Sequence, residues 1–398
     1  MLLLMLSAAA CSSTRELARD SGSSWYPEQV VSAEERRHEI AEKEARLRRL
    51  MTGRALGGIL LSSPENFAWI TAGGSDRLVP GVDAEAEVFI RADGQKLILA
   101  AGRETLALAG EMAPLGFDFK AVSWFDAGRP RADRETLLRT LTGGGPCGSD
   151  SSGNDALALE EPVALLRAPL TESEVKKYRW LGRRCAEAVE GVCRRIEPWI
   201  TDRSIEAWLA QALLSRAIRP VELRVSVDGA VPGAAARKVV KHAVIGVSAS
   251  RWGLVVSMNR TVYLGPLPAE RQKRFEAVAR IHAGFWARTL PGATGGGIME
   301  GAISDCRDAG LTEAWLKGPL GGGAGYRQWE WLALPGSHRA LQETEAFAWL
   351  TAIDDSVLED TVLLAGDRFE VLTQTRDWPV TEARALGRIY RLPAILVR

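Results

Sequence analysis

The sequence predicts an α/β N-terminal domain followed by a larger α+β domain, and three observations support this prediction. The chain has 398 residues, and at roughly 100–200 residues per domain this length suits two or three domains. Apolar residues make up 46% and charged residues 25%, which is typical of a soluble globular protein with a large core. Short apolar runs alternate with helical stretches up to about residue 167, whereas long amphipathic helices and hairpins follow.

The first 31 residues predict a leader and a tether. The apolar run Met1–Leu6 and the small residues Ala8–Ala10 precede Cys11, and this order resembles the end of a bacterial lipoprotein signal. We therefore expect lipidation at Cys11 and a place in the bacterial cell envelope. Basic residues before the apolar run are missing, so an ordinary buried segment of a cytoplasmic protein is the alternative. Residues 12–31 are rich in Ser, Asp and Gly and predict a tether.

Charge and hydropathy restrict the partners. Lys plus Arg and Asp plus Glu both number 50, which gives a formal net charge of zero. A protein that binds nucleic acid through phosphate contacts normally has a basic surplus, so we expect no nucleic-acid partner. The apolar run at the start is too short to span a bilayer of ~30 Å. A membrane contact is therefore expected only through a lipid on Cys11.

An N-terminal helix and an α/β domain are predicted next. Ser32 and Glu35 form a capping box, which opens a helix over residues 32–53. The charged stretch Arg36–Arg49 within it predicts a solvent-facing helix. The domain assigned to residues 54–167 begins with the strand Gly58–Leu61 and contains a hairpin around Asp93 and Gly94, a favoured turn pair.

Longer elements fill the domain assigned to residues 168–398. A second capping box, Thr171 with Glu174, opens an amphipathic helix that continues to about Arg195. Further helices are predicted over residues 201–217, 269–289 and 297–309, and strands over residues 222–228, 239–250, 253–263, 344–350 and 359–365.

The common catalytic motifs are missing from the sequence. It contains no G-x-S-x-G nucleophile elbow, no G-x-x-x-x-G-K phosphate loop and no H-E-x-x-H zinc motif. The chain also has only four histidines, few for a metallohydrolase. A serine hydrolase, a P-loop nucleotidase and a zincin are therefore not indicated.

Four segments resemble the creatinase, aminopeptidase P and methionine aminopeptidase family. Trp252–Val262 resembles its G-Y-x-x-D-x-T-R-T hairpin, and Leu320–Tyr326 resembles the H-x-G-G-x-x-G-Y turn of an aminopeptidase-P-like branch. The two strands that follow in the family resemble Phe347–Leu350 and Leu358–Val362. Pro64–Thr71 is similar to the start of the family's N-terminal domain. The likeness covers residues 54–398 and implies a creatinase-type N-terminal domain, a catalytic domain of the pita-bread fold and a homodimer.

The same resemblance implies a site for two divalent metals, which family enzymes hold with two aspartates, a histidine and two glutamates. Carried over position by position, these five ligands fall on Gly246, Ser257, Pro319, Leu350 and Glu359. Only Glu359 is kept. One carboxylate cannot balance the four positive charges of two divalent cations. No metal cofactor is therefore expected, and the four missing ligands argue against enzyme activity.

Three hypotheses about function stay open, and the third is a purely structural or scaffold protein in a dimer. The first is a catalytically inactive homologue that binds a peptide or a protein. The second is a hydrolase of peptides or small amides that acts through His242, Ser257 or Glu359 and would need these side chains within hydrogen-bonding distance of one another. If Glu359 is buried, it needs an Arg or a backbone N–H as a partner, or it will be protonated, and Arg260 on the neighbouring hairpin is the candidate partner. His282 and His338 are interpreted as a packing residue and a surface residue.

Overall fold

The computed structural model describes residues 30–74, 86–101, 104–122, 131–151, 156–229, 235–311, 313–318, 320–366 and 368–398. Cys11 and the predicted leader lie outside the described residues, as does Pro319. Residues Val31–Arg398 pack as one unit, so the boundary placed near residue 168 stays a prediction. None of the helices in the described ranges is long and apolar enough to cross a membrane.

The N-terminal helix α1 spans Ala33–Arg54, close to the predicted bounds. The Ser32 hydroxyl accepts from the Glu35 backbone N–H, and the Glu35 carboxylate accepts from the Ser32 N–H. The prediction of a solvent-facing helix is wrong in part, because Glu39, Lys43 and Glu44 are buried. Glu39 and Lys43 pair with residues of a later helix, and a pattern read along one helix does not reveal such partners.

A six-stranded mixed sheet follows, in the strand order β4-β3-β2-β1-β5-β6. The predicted hairpin around Asp93 and Gly94 is present, with Gly94 at φ +96°, a conformation that favours glycine. Ser63 is the N-cap of a short helix that contains Phe67 and Trp69, both fully buried. The elements are β1 Gly58–Leu61, α2 Pro64–Ile70, β2 Ala86–Arg91, β3 Lys96–Ala101, α3 Glu104–Met112, β4 Asp118–Val122, α4 Arg131–Leu141, β5 Cys147–Ser149, β6 Leu157–Ala158 and α5 Glu160–Arg167.

The rest of the chain builds three further sheets against long helices. Helix α6 starts at the predicted capping box of Thr171 with Glu174. The elements are α6 Glu172–Cys193, α7 Asp202–Leu214, β7 Arg219–Val227, β8 His242–Arg251, β9 Leu254–Tyr263, α8 Ala269–Arg288, α9 Gly295–Asp308, β10 Gly321–Ala324, β11 Trp331–Leu332, β12 Ala346–Ile353, β13 Ser356–Ala365, β14 Arg368–Val371, β15 Val380–Ala385, β16 Arg388–Pro393 and β17 Leu396–Val397.

Two of these sheets meet at the site discussed below. One has the strand order β17-β9-β8-β7, and the other has the order β11-β10-β12-β13-β14. Strands β8 and β9 form an antiparallel hairpin that turns at Trp252 and Gly253, both with positive φ. Strand β13 packs along β9, so that the second sheet faces the hairpin.

Candidate functional site

Four residues of the hairpin β8–β9 share one face. Ser248 is directly opposite Ser257, and Gly246 is directly opposite Asn259. Alternate residues of a strand point to the same face, so these four share it. The Ser248 and Ser257 hydroxyl oxygens lie 2.9 Å apart and form a hydrogen bond. Two of the positions implied as metal ligands, Gly246 and Ser257, therefore lie together as the resemblance requires.

Strand β13 brings Glu359 to this face. Leu350 and Glu359 are directly opposite each other across β12 and β13. The Glu359 backbone N–H donates to the Asn259 side-chain oxygen at 2.9 Å. Two further bonds join the strands, because the Ser257 N–H donates to the Thr361 hydroxyl and that hydroxyl donates to the Ser257 carbonyl. Four of the five implied positions are thus gathered in the described part of the chain.

Arg224 occupies the centre of this arrangement. It lies on β7 directly opposite Gly246, and a Cβ added to Gly246 would stand 3.1 Å from the Arg224 Nε. One end of its guanidinium donates to the Glu359 carboxylate, and the other donates to Glu222 at 2.5 Å. Arg224 is one-third exposed, whereas Glu359 is buried.

The expectation that Arg260 would pair with Glu359 is wrong. The Arg260 guanidinium donates to Asp360 at 3.1 Å and lies 3.6 Å from Glu190. Arg260 and Asp360 each stand one residue along the strand from Asn259 and Glu359, and adjacent residues of a strand point to opposite faces. The sequence reasoning missed Arg224. Its only signal was a basic residue in a predicted strand just before the hairpin.

The local electrostatics are those of a buried acid with one counter-charge. Burial raises the pKa of Glu359 to about 7, and the Arg224 guanidinium works against that rise. Oε1 of Glu359 and Nδ2 of Asn259 are buried and have no hydrogen-bond partner among the described residues. Buried polar atoms are normally paired with protein or ordered water, so these two atoms mark a place where a further polar group fits.

His242 lies far from this place. It is at the start of β8, opposite Tyr263, six residues along β9 from Ser257 and therefore roughly 20 Å away. Its Nε2 is 3.3 Å from Asp355, and its Nδ1 is 3.5 Å from Asp228. Burial and the Arg271 guanidinium lower its pKa. No hydrogen bond between the described residues joins His242, Ser257 and Glu359 to one another.

His282 is a packing residue and His338 is a surface residue, as interpreted. His282 is fully buried on α8, where its Nδ1 lies 3.1 Å from the Thr351 hydroxyl and its ring packs edge-on against Trp286. Burial, with a smaller contribution from Arg260, lowers its pKa to about 3. His338 is exposed. In the described ranges, no group of three or more His, Cys, Asp and Glu side chains is placed to hold a metal ion.

Comparison with known proteins identifies the fold. Neither a family profile nor a curated protein sequence matches this chain. Among solved structures, the dipeptidase PepE from Mycobacterium ulcerans matches with a TM-score of 0.69 and 18% identity, over 91% of this chain and 98% of that one. The prolidase from Pyrococcus horikoshii matches with a TM-score of 0.69 and 17% identity, over 84% and 99% of the two chains.

Two further structures widen the comparison. The X-Pro aminopeptidase from Thermotoga maritima matches with a TM-score of 0.69 and 17% identity, over 89% of this chain and 99% of that one. The N-terminal domain of a FACT complex subunit from chickpea matches with a TM-score of 0.61 and 13% identity, over 84% and 96%. The chain therefore has the pita-bread fold that the sequence predicted, over nearly the whole length of these proteins.

Proposed function

We propose that this chain is a catalytically inactive, metal-free homologue of the aminopeptidase-P-like Xaa-Pro peptidases and that it binds a peptide or protein partner. The observation that supports this most directly is the pairing of its one retained carboxylate. Glu359 is engaged by the Arg224 guanidinium, and Gly246 and Leu350 have no donor atom in their side chains. Lipidation at Cys11, an envelope location and a homodimer stay predictions.

The side chains at this position do not suit two divalent cations. Such cations are held by several anionic oxygens, whose charge offsets the cost of placing the ions in a pocket. Here one carboxylate and the Ser257 hydroxyl are the side-chain donors at the described positions, and the hydroxyl is already bonded to Ser248. The Glu359 carboxylate is likewise engaged, because the Arg224 guanidinium donates to it. We derive no catalytic step through a metal for these reasons.

The fold and the unpaired polar atoms of this face are compatible with binding of a peptide or a protein. The fold matches over 91% and 84% of this chain in two solved structures, and it also occurs in a chain described as the N-terminal domain of a FACT complex subunit. The unpaired atoms of Glu359 and Asn259 offer an acceptor and a donor, which match the N–H and C=O of a peptide group.

The hydrolase alternative gains no support from the geometry. It required His242, Ser257 and Glu359 to lie within hydrogen-bonding distance, whereas His242 is engaged with Asp228 and Asp355 at the other end of the hairpin. General acid–base catalysis needs a proton acceptor within reach of the proton it takes. Ser257 contacts Ser248 instead of a base.

Calorimetry and a peptidase assay on the full chain test the proposal. We expect no binding of Mn²⁺, Co²⁺, Zn²⁺ or Mg²⁺ tighter than about millimolar, and no hydrolysis of Xaa-Pro dipeptides. A peptide array probed with the same protein is expected to retain it on intact peptides. The Thermotoga maritima X-Pro aminopeptidase serves as the positive control. Two tightly bound metals together with turnover would show that the proposal is wrong.

A further inference from the structure

We infer that Arg224 is the resident cation of this site, a side chain that takes the place a bound metal ion would otherwise hold next to Glu359. The inference deepens the proposed function and depends on its metal-free site. It assigns a role to Arg224, which is not part of the family resemblance. It also predicts that removing the Arg224 side chain leaves a site for a small external cation.

Arg224 and Gly246 are matched in size. The Arg224 side chain lies over Gly246, the position where the resemblance calls for an aspartate. A Cβ at Gly246 would stand 3.1 Å from Arg224 Nε, tighter than ordinary van der Waals contact, and 3.4 Å from Arg224 Cβ. A side chain at residue 246 would therefore require the guanidinium to shift from its present position. Glycine at one position and arginine at the other form a matched pair.

Arg224 and Glu359 are matched in charge. Glu359 is 1% exposed, and a buried carboxylate is costly unless a counter-charge accompanies it. Among the described residues, Arg224 is the cation that pairs with Glu359. Arg260, the next cation along the hairpin, is engaged with Asp360 and Glu190 on the opposite face. The positive charge at this position thus comes from the chain itself.

Truncation of Arg224 leaves the buried Glu359 carboxyl group without its partner, next to the unpaired Nδ2 of Asn259 and to Ser257. Because Arg224 lowers the pKa of Glu359, its removal raises that pKa above about 7, and the carboxylate that attracts a cation is present at a pH above the raised value. Arg224 is one-third exposed, so the space it vacates opens to solvent. The ligand that suits such a space is a small cation: guanidinium itself or a single divalent ion with its waters.

The test uses the full-length protein with Arg224→Ala. Mn²⁺ binding is followed by loss of the free-ion EPR signal, and the melting temperature is recorded with and without millimolar Mn²⁺ or guanidinium. We expect R224A to bind one Mn²⁺ at least about tenfold more tightly than the wild type and to regain part of its lost melting temperature with either cation. R224A/E359Q lacks the carboxylate and is expected to show neither effect.

Two variants serve as controls. Arg224→Lys keeps a positive charge on the same strand and is expected to bind Mn²⁺ no better than the wild type. Arg179→Ala removes an exposed arginine that pairs with exposed Glu370 at 2.8 Å and is expected to leave Mn²⁺ binding unchanged. If R179A responds as R224A does, the effect is non-specific and the inference fails.

Each of the remaining results either supports or overturns the inference. A folded R224A that neither binds Mn²⁺ nor responds to guanidinium overturns the inference, as does R224A/E359Q with the same affinity as R224A. If R224A does not fold, a folded R224A/E359Q shows that the unpaired carboxylate is the cause and supports it, whereas failure of both variants shows that Arg224 is needed for packing and overturns it. Two metals bound by the wild type would contradict the proposed function instead.

Discussion

Two of the buried charge clusters in the described part of the chain differ in how completely their atoms are paired. The first joins α1 to α6. Lys43 Nζ lies 2.6 Å from Glu39 and 2.8 Å from Glu174, and Lys177 Nζ lies 2.7 Å from Glu39. The Tyr326 hydroxyl donates to Glu174 at 2.5 Å. Within the described residues, none of these side chains has a buried polar atom without a partner.

The second cluster, between β7, β9 and β13, is incomplete. It consists of Arg224, Glu359, Asn259 and the serine pair of the hairpin. One oxygen of Glu359 and the amide nitrogen of Asn259 have no described partner, and the arginine is one-third exposed. His282 on α8 likewise has an unpaired Nε2.

The difference separates a structural cross-link from a site. A fully paired buried network rigidifies the elements it joins, whereas a partly paired one keeps polar atoms that an ordered water or an external group can satisfy. The first cluster therefore ties the N-terminal helix to the long helix α6. Under the proposed function, the second is the remnant of a binding centre, in which the chain supplies one counter-charge and leaves other positions open.

The largest effect is expected at the paired cluster. Lys43→Met removes the ammonium that lies between Glu39 and Glu174 and leaves a buried carboxylate without its counter-charge. Breaking a buried ion pair from one side costs about 3–5 kcal/mol. We expect the free energy of unfolding, measured with urea, to fall by that amount, because the ion pair of Lys43 with Glu174, which holds α1 against α6, is lost.

Arg48→Ala on the same helix is the matched control. Arg48 is 51% exposed and pairs with Glu44 one turn away, so its loss is expected to cost less than about 1 kcal/mol. Equal losses for K43M and R48A would mean that the buried network contributes no more than a surface ion pair, and the distinction drawn between the two clusters would then have no energetic basis.

Much of the fold could be predicted because its signals are local. The capping boxes at Ser32 and Thr171 mark the first residues of α1 and α6. The Asp93–Gly94 turn fixes its hairpin, since a positive φ at Gly94 is available to glycine at little cost. The strand β13 was predicted over residues 359–365 and begins at Ser356. Each of these signals lies within a few residues of the element it specifies.

The parts that could not be predicted depend on long-range pairing. The burial of Lys43 results from a partner more than a hundred residues away, Glu174. Arg224 lies over Gly246 only because β7 and β8 are in register, and register is a property of two strands together. The implied ligand positions could be read from the motifs, but Arg224, the residue that pairs with Glu359, lies outside every motif.

An intermediate effect is expected from His282, and it depends on pH. Its pKa in the folded protein is about 3, below the ordinary value of about 6.5 in an unfolded chain. Between these values the unfolded state binds a proton that the folded state does not. The contribution of His282 to stability is therefore complete above pH 6.5 and falls as the pH drops, by up to about 1.4 kcal/mol per pH unit.

Urea unfolding of the wild type and His282→Gln at pH 7.5, 6, 5 and 4 measures this slope. We expect the variant to lose less stability than the wild type over that range, because Gln has no proton to gain. His338→Gln, at an exposed position, is expected to keep the slope of the wild type. Parallel curves for the wild type and H282Q would show that this histidine can be protonated in the folded protein, contrary to its full burial.

The smallest effect is expected from Ser257→Ala. The variant removes a hydroxyl that bonds to Ser248, while the two bonds between the Ser257 backbone and Thr361 remain. A single hydrogen bond contributes about 1 kcal/mol net, and replacing both partners with apolar groups is nearly neutral. We therefore expect S257A to cost about 1 kcal/mol in urea unfolding and S248A/S257A to cost no more. A loss as large as that of K43M would mean that the hairpin face is as tightly coupled as the paired cluster, and its open positions would then be structural defects and not places for a ligand.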